Sequence, residues 1–500
     1  MRRIICCIAV VVISLLSAQT TIWSYHATGS TYSHIRSIKT LPDVDDDLHE
    51  DVIAVSENDT LYCLSGTSGI PIWRFAADPC FAERGLISVP DLNGDSLADV
   101  ILGTIWGTRS VFAISGADGS VLWQYDTHEY GDGGWIYEVA EMPDVNGDSV
   151  VDILASSGGP DALRAYLFDG VTGSKIWEYN TGYACFAVRA IGDISGDTIQ
   201  DVAVSTGDSD PSTNRVFFID GATGFLIRDI LLPSTGVSVV PIGDISGDAI
   251  PDIACGTANY VILGLSGSGD SVLWTCNVGG TVVDLNVLPD VDANGYMELL
   301  PSGTNMYNFY CIDALGGNTN WATPAVDQIF VNVAIPDISG DSIWDVVGGT
   351  GFGNGVLYTL DGSSGTIFWQ LAMASPVESA FWIEDVSGND IPDILVGLRN
   401  GWIYAISDGD VGLHEGNVTT VGFKSLMSRF GRLELIHNLS SGSKMRVEIY
   451  STLGQKVMDV SLVADRNLIS VDARSLPSGV YFGRISSEES GENVKFVILN

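Results

Sequence analysis

Apolar residues along this chain come in short β-branched runs, such as DVIAVS (51–56) and DVILGT (99–104), separated by turns rich in Gly, Asp, Asn and Ser. Such runs predict short strands joined by tight turns. The runs repeat. An acidic loop followed by a β-branched run recurs as PDVDDDLHEDVIAVS (42–56), PDLNGDSLADVILGT (90–104), PDVNGDSVVDILASS (143–157) and GDISGDTIQDVAVST (192–206). It continues as GDISGDAIPDIACGT (243–257), PDVDANGYMELLPSG (289–303), PDISGDSIWDVVGGT (336–350) and EDVSGNDIPDILVGL (384–398). The leading Asp residues stand at 43, 91, 144, 193, 244, 290, 337 and 385, which makes eight units spaced 46 to 53 residues apart.

A second motif lies about 20 residues further into a unit: LYCLSGTSGIPIW (61–73), VFAISGADGSVLW (111–123), AYLFDGVTGSKIW (165–177) and LYTLDGSSGTIFW (357–369). Two alternating runs joined by a Gly-rich turn predict a hairpin. With one strand before the acidic loop and one after it, each unit holds four strands, the signature of a β-propeller blade. The last unit offers only GWIYAISDG (401–409) and lacks the Trp-bearing strand. Thr21-Ile22-Trp23-Ser24-Tyr25, followed by Thr28-Gly29, matches that missing piece. The expectation is an all-β, eight-bladed propeller over 19–410, closed by the N-terminal strand; a solenoid or a string of small sandwiches is the competing architecture. After a linker at 411–420 the repeat stops, and residues 421–500 alternate as strands of a small Ig-like β-sandwich.

The chain has 500 residues, 57 of them Gly, and carries 62 Asp and Glu against 23 Lys and Arg, a formal charge of −39. That field repels phosphate backbones and anionic lipid, so nucleic acid and membrane surfaces are not expected as partners. The opening MRRIICCIAVVVISLLSAQT reads as a secretory signal peptide over 1–18, too short to span a bilayer, and no membrane span is expected after its removal. Six cysteines then remain: Cys63, Cys80, Cys185, Cys255, Cys276 and Cys311. Export permits pairing, with Cys63/Cys80 and Cys255/Cys276 close enough to staple hairpins; buried small hydrophobes are the alternative.

Offsets 0, 2, 4 and 8 of every acidic loop carry oxygen donors. Calcium takes six to eight oxygens, and alternate residues of a tight loop can point at one centre. Asx turns, in which the acids bond backbone N–H groups, are the alternative. The pattern D-x-N-G-D with Asp at offset 8 resembles the FG-GAP (VCBS-type) repeat of integrin-like and bacterial surface propellers. That resemblance implies calcium ligands at Asp43, Asp45, Asp47, Asp51; Asp91, Asn93, Asp95, Asp99; Asp144, Asn146, Asp148, Asp152; and Asp193, Ser195, Asp197, Asp201. It further implies Asp244, Ser246, Asp248, Asp252; Asp290, Asp292, Asn294, Glu298; Asp337, Ser339, Asp341, Asp345; and Asp385, Ser387, Asn389, Asp393. Only Gly295 supplies the glycine that the family often has at offset 5, and Ser is a weaker ligand than carboxylate. The loops at Asp43, Asp91, Asp144 and Asp290 are therefore expected to bind best, and that at Asp385 worst.

The Trp motif, at Trp23, Trp73, Trp123, Trp177, Trp321 and Trp369, resembles the outer hairpin of quinoprotein-like propellers, where the ring packs between blades. Arg228 stands where the fourth unit should carry Trp, and Trp274 is displaced by one residue, which puts both contacts in question. Pyrroloquinoline quinone is not expected, because that family's dehydrogenases stack it on a vicinal cysteine pair, and the only such pair, Cys6-Cys7, is in the leader. The C-terminal segment resembles the sorting domain of type IX secretion through Val447-Glu448-Ile449-Tyr450, Leu453-Gly454-Gln455, Leu476-Pro477-Ser478-Gly479-Val480-Tyr481-Phe482 and Lys495-Phe496-Val497. It implies that residues 421–500 engage that machinery and deliver a secreted or outer-surface protein of a Gram-negative-type bacterium.

Propellers usually bind ligands on one face. The long connection DTHEYGDGGWIYE (126–138), with Trp106 in the same unit, offers Trp106, Tyr130, Trp135 and Tyr137 as an aromatic platform for sugar rings. No catalytic constellation is recognisable, so the enzyme question leans to no. The expected function is a calcium-stabilised binding or adhesion module for an extracellular polysaccharide or a surface protein. A lyase resembling rhamnogalacturonan lyases, which also occur as calcium-bearing propellers, and a purely structural scaffold are the alternatives.

Overall fold

A computed structural model describes residues 19–27, 33–80 and 83–407, and further on Leu476 and the strands lying between 423 and 498. The leader, Cys6-Cys7, Thr28-Gly29, the linker 411–420 and the turns at 453–455 and 477–478 lie outside the described residues. Two compact units divide the chain, one of them 19–408.

That unit is an eight-bladed propeller of four-stranded antiparallel sheets. Seven blades run 35–76, 86–126, 134–180, 185–231, 236–277, 281–324 and 329–372. The eighth combines Val377–Ile383, Asp393–Leu398 and Trp402–Ser407 with Thr20–His26, which pairs antiparallel to Trp402–Ser407 and sets Trp23 opposite Ala405. First strands line the axis, each beside the next, and Ile35–Leu41 lies against Val377–Ile383. Second strands are packed on both faces, which is why runs such as Asp51–Ser56 and Asp99–Gly103 are buried at every position and read as continuously apolar.

Blades are joined by their fourth strands. The indole N–H donates to a carbonyl in the next blade: Trp23 to Gly66 at 2.6 Å, Trp73 to Gly116, Trp123 to Gly170 and Trp177 to Gly221 at 2.7 Å, and Trp321 to Gly362 at 2.8 Å. The two contacts that the sequence put in question are made. Trp274 seats its ring against Gly264 and still donates to the Ala314 carbonyl at 2.9 Å. Arg228 lays its guanidinium 4.2 Å from the Phe218 ring centroid and donates to the carbonyls of Ser266, at 3.1 Å, and Gly267. A planar N–H donor on an apolar stem can thus do the work of an indole.

All six of these cysteines are buried and none is in a disulfide, so neither candidate hairpin staple forms and the small-hydrophobe reading is the one realised.

The protein's own side chains occupy part of the axis. A single 3-10 turn, Glu83–Gly85, precedes the first strand of the second blade and enters the channel. Glu83 accepts from the Ala380 N–H of blade 8 at 3.0 Å and lies 3.5 Å from the Lys39 ammonium of blade 1. Arg84 is 6% exposed; it donates to the Val237 carbonyl of blade 5 at 2.8 Å and faces Glu138 of blade 3 and Asp284 of blade 6 at 3.7 and 3.5 Å. Glu138 is shared with Arg189 of blade 4 at 2.6 Å. Burial pushes the Glu83 and Glu138 carboxyls above the usual range, and the neighbouring cations pull them back.

The second unit contains a three-stranded sheet, of Phe423–Arg429, Arg432–His437 and Leu468–Asp472, and a four-stranded sheet ordered Lys456–Val463, Lys444–Ser451, Gly479–Ser487, Gly491–Ile498. In the latter Val447 and Ile449 are buried while Arg446 is exposed, as alternation requires.

Arg84→Ala removes the cation between Glu138 and Asp284, and losing one partner of a buried ion pair costs about 3–5 kcal/mol. Urea unfolding of the full chain is expected to show a loss of that order; a change under about 1 kcal/mol would mean that the axial pin is dispensable.

Candidate metal-binding loops

All eight acidic loops share one backbone path. The residues at offsets 3 and 5 are left-handed, as with Gly94 (φ 85°) and Ser96 (φ 73°), Asp46 (64°) and Leu48 (75°), or Ala293 (62°) and Gly295 (91°). The sharp turn at offset 5 is therefore made without glycine in seven loops, at a cost of about 1–2 kcal/mol for each L-residue held there. What holds it is the leading Asp. Asp91 Oδ1 accepts from the N–H groups of Asn93, Gly94 and Asp95 at 3.0, 2.6 and 3.3 Å, and Oδ2 from Ser96 at 2.7 Å. The same N–H groups, led by that of Ser149, hold the Asp144 carboxyl below its ordinary range. The Asx-turn account is thus realised in these loops, and it leaves a lone pair on Oδ2, which takes only one N–H, for a cation.

The offset-8 acid is a different object. Asp51, Asp99, Asp152, Asp201, Asp252, Glu298, Asp345 and Asp393 are all 0% exposed. Asp99 accepts from the Leu92 N–H of its own loop at 2.7 Å and from the Gly116 N–H of the next hairpin at 3.0 Å. Gly116 is the residue whose carbonyl receives Trp73, so one carboxylate ties loop, hairpin and neighbouring blade. A Cβ on Gly116 would sit 1.9 Å from the Ala98 carbonyl oxygen, which is why that position is glycine. Burial raises the Asp51 carboxyl to about 6 against the pull of the Val44 and Gly66 N–H groups.

Blade 6 departs from this pattern at two positions together. Ala314 replaces the glycine, and its N–H bonds the Met297 carbonyl at 3.2 Å. The longer Glu298 accepts from Val291 at 3.1 Å, with the Asn320 amide 3.5 Å away. Burial first, then the charges of Asp292, Asp290 and Asp313, lift its carboxyl to about 8.

Among the described residues, two groups bring three acid oxygens within 4.8 Å of one another: Asp43, Asp45 and Asp51, and Asp290, Asp292 and Glu298. Offsets 0, 2 and 8 converge there, while offset 4 turns to the hairpin. Asp47 accepts from the Thr67 hydroxyl at 2.7 Å, and the Asn294 amide donates to Asp313 at 3.0 Å. The Asp91 and Asp144 loops carry Asn at offset 2, which points an amide donor at Asp95 from Asn93 and at Asp169 from Asn146. In the four loops with Ser195, Ser246, Ser339 and Ser387, the hydroxyl donates to the leading Asp of its own loop.

The four aromatics expected to form one platform are placed apart in character. Trp135 and Tyr137 meet edge to face at 6.2 Å, but Tyr137 is only 7% exposed and packs on Phe186 at 4.8 Å. Tyr130 donates to Glu178 at 2.5 Å beneath the Arg164 guanidinium, 4.0 Å from its ring centroid, and Trp106 is 49% exposed. The sequence reading missed Glu83 and Arg84, which no motif marks, and the pairing of Trp344 with Trp382, each of which sits next to a recognisable loop.

A family model described as outer membrane protein assembly factor BamB matches residues 13–241, less than half of the chain. One described as a secretion system C-terminal sorting domain matches residues 434–500, and a tail of that kind implies secretion to the cell surface. No curated protein matches. Among solved structures, Sqt1 of Saccharomyces cerevisiae is similar at 10% identity over 78% of this chain and 98% of that one, with a TM-score of 0.58. The C-terminal WD40 domain of Sif2 is similar at 10% over 79% and 99%, with a TM-score of 0.52, and BamB from Moraxella catarrhalis at 13% over 80% and 100%, with 0.48. At these identities the first two bear on the fold alone. No helix among the described residues is long and apolar enough to cross a membrane.

Asp99→Ala strands two buried N–H donors, each worth about 1–3 kcal/mol, whereas Asp91→Ala opens an exposed turn. Thermal unfolding in chelator is expected to fall further for Asp99→Ala; equal losses would contradict the part assigned to the buried acid.

Proposed function

We propose that this chain is a secreted or surface-displayed, calcium-stabilised propeller of FG-GAP type that acts as a binding module for an extracellular polysaccharide or a surface partner. In this reading the N-terminal strand closes the ring, and the C-terminal sheets form the sandwich that engages the type IX machinery. The observation that carries the calcium part is the convergence of Asp43, Asp45 and Asp51, and of Asp290, Asp292 and Glu298, three acids at a time. Oxygen donors of this kind suit calcium, which would neutralise carboxylates that otherwise repel by about 4 kcal/mol per pair at 4 Å and an effective dielectric of 20. Glu298 gains from a cation, because its blade lacks the hairpin N–H that six other blades supply.

A binding role fits the way the basic residues are used. Residues 19–417 hold 11 Lys and Arg. Arg36 and Arg399 are paired to Glu378, Arg189 to Glu138, Arg215 to Asp229 and Lys175 to Glu129. A lyase needs cations free to neutralise a uronate carboxylate, and these five are engaged, while the exposed Arg74 bonds the Tyr25 hydroxyl. The axial channel, a usual ligand site in propellers, holds Arg84.

Metal analysis of desalted full-length protein is expected to find about two tightly held calcium ions, one fewer in Asp45→Asn and one fewer in Asp292→Asn. Calcium at 100-fold over its Kd would add about 2.7 kcal/mol per site; absence of both metal and stabilisation rejects the calcium reading. Affinity electrophoresis through single polysaccharides tests the module: retardation by one polymer supports it, and retardation by none moves the reading to a protein partner or a scaffold.

A further inference from the structure

The eight-fold repeat supplies its own control for side chains that the fold does not require. The residue before the buried offset-8 acid is Glu50, Ala98, Val151, Gln200, Pro251, Met297 or Pro392 in seven loops, and Trp344 in the remaining one. Three residues ahead of the leading Asp stand Thr40, Ser88, Glu141, Ala190, Pro241, Val287 and Ala334, and, in blade 8, Trp382. These two positions meet where blades 7 and 8 adjoin. Trp344 and Trp382 stand edge to face, 6.3 Å between centroids at 89°, and Phe381 stacks beside Trp382 at 5.9 Å and 18°. Trp344 is 38% exposed, and Trp382 and Phe381 are half-buried. Seven junctions close without an aromatic at either position, so packing of the propeller does not account for the pair.

The geometry points to a sugar-binding site here, on the face of the acidic loops, that takes a neutral hexopyranose unit of a polysaccharide. Indole faces accept the C–H surface of a pyranose ring, and a site of this kind needs a few placed polar groups for its hydroxyls. Glu384, two residues beyond Trp382 and 42% exposed in its side chain, is held by the His49 imidazole at 3.1 Å and the Glu50 N–H at 2.8 Å. Both contacts engage Oε1 from the blade 1 side, which leaves Oε2 as a hydroxyl acceptor two residues along the chain from Trp382. Charge sets the sugar class. The patch lies between the acidic loops that start at Asp337 and Asp385, in a chain with 62 acids. Its one adjacent cation, Lys39, lies 4.6 Å from the Phe381 centroid and 3.5 Å from Glu83. Uronates and sulfated sugars meet repulsion there with no free cation to offset it.

This inference rests on the binding-module reading and deepens it. The full-length protein, with Trp344→Ala, Trp382→Ala and, as an exposed aromatic outside any proposed site, Phe225→Ala variants verified as folded by circular dichroism, is run through gels containing a neutral β-glucan, a galactomannan or polygalacturonate. Retardation by a neutral polymer, weakened at least tenfold in Trp344→Ala and Trp382→Ala and unchanged in Phe225→Ala, is the expected result. Neutral-polymer binding that survives in the first two variants overturns the placement and leaves the module standing. Retardation by polygalacturonate alone overturns the sugar class. No retardation by any of the three overturns this site, and with a wider panel equally silent the polysaccharide module falls as well.

Discussion

A carboxylate sealed from water begins each second strand of the propeller, and much of the fold can be understood as the means of satisfying it. A buried charge without donors is costly, so each of these acids has to be met by N–H groups from elsewhere. For Asp99 the donors are its own loop and the next hairpin, and the hairpin glycine passes the chain on by accepting the preceding blade's tryptophan. The loop's left-handed turns, the glycine's missing Cβ and the indole's orientation are then one arrangement repeated round the ring. It explains why short, individually weak sheets hold together: in seven blades the hairpin carbonyl is met by a donor from the blade before it.

The places where the repeat deviates are informative because the other blades show what the fold needs. Arg228 replaces an indole and keeps the donor, so that change preserves structure. Glu298 with Ala314 is a coupled exchange that gives up a donor and leaves a buried carboxyl with a stronger demand for a cation. At the junction of blades 4 and 5, Ile230 and Leu263 stand where Tyr25 with Tyr62 and Phe75 with Phe112 fill other junctions, and a groove of about 600 Å³ opens, lined by Leu231, Leu263 and Val272. The Trp344 and Trp382 pair adds aromatic bulk at two positions that carry none at the other junctions.

At the axis, scarce cations serve the structure. Lys39, Arg84 and Arg189 meet Glu83, Glu138 and Asp284 in a network that joins blades across the ring. This engages basic residues that recognition of an acidic substrate would use, and it places side chains where a propeller could hold a central ligand. Any recognition by this molecule is thereby moved to its faces and rim, where aromatic rings and carboxylates remain exposed.

Period and alternation were legible from the sequence by themselves, because a blade is a local object: four strands, two turn chemistries and one tryptophan recur at fixed spacing, and eight copies average out the exceptions. The sequence also located every acidic loop, since the Asp at offset 0 and the acid at offset 8 are demanded by the backbone path. It could not decide which loops gather three acids, because that depends on whether an Asn amide or a Ser hydroxyl turns inward and on what the opposing hairpin offers. Tyr137 read as part of an open platform and is buried, since Phe186 reaches it from the next blade. Arg84 finds its partners in blades 3, 5 and 6, and Trp344 meets Trp382 from the neighbouring blade. Contacts of that reach arise only when the ring is assembled, so tertiary structure alone decided them.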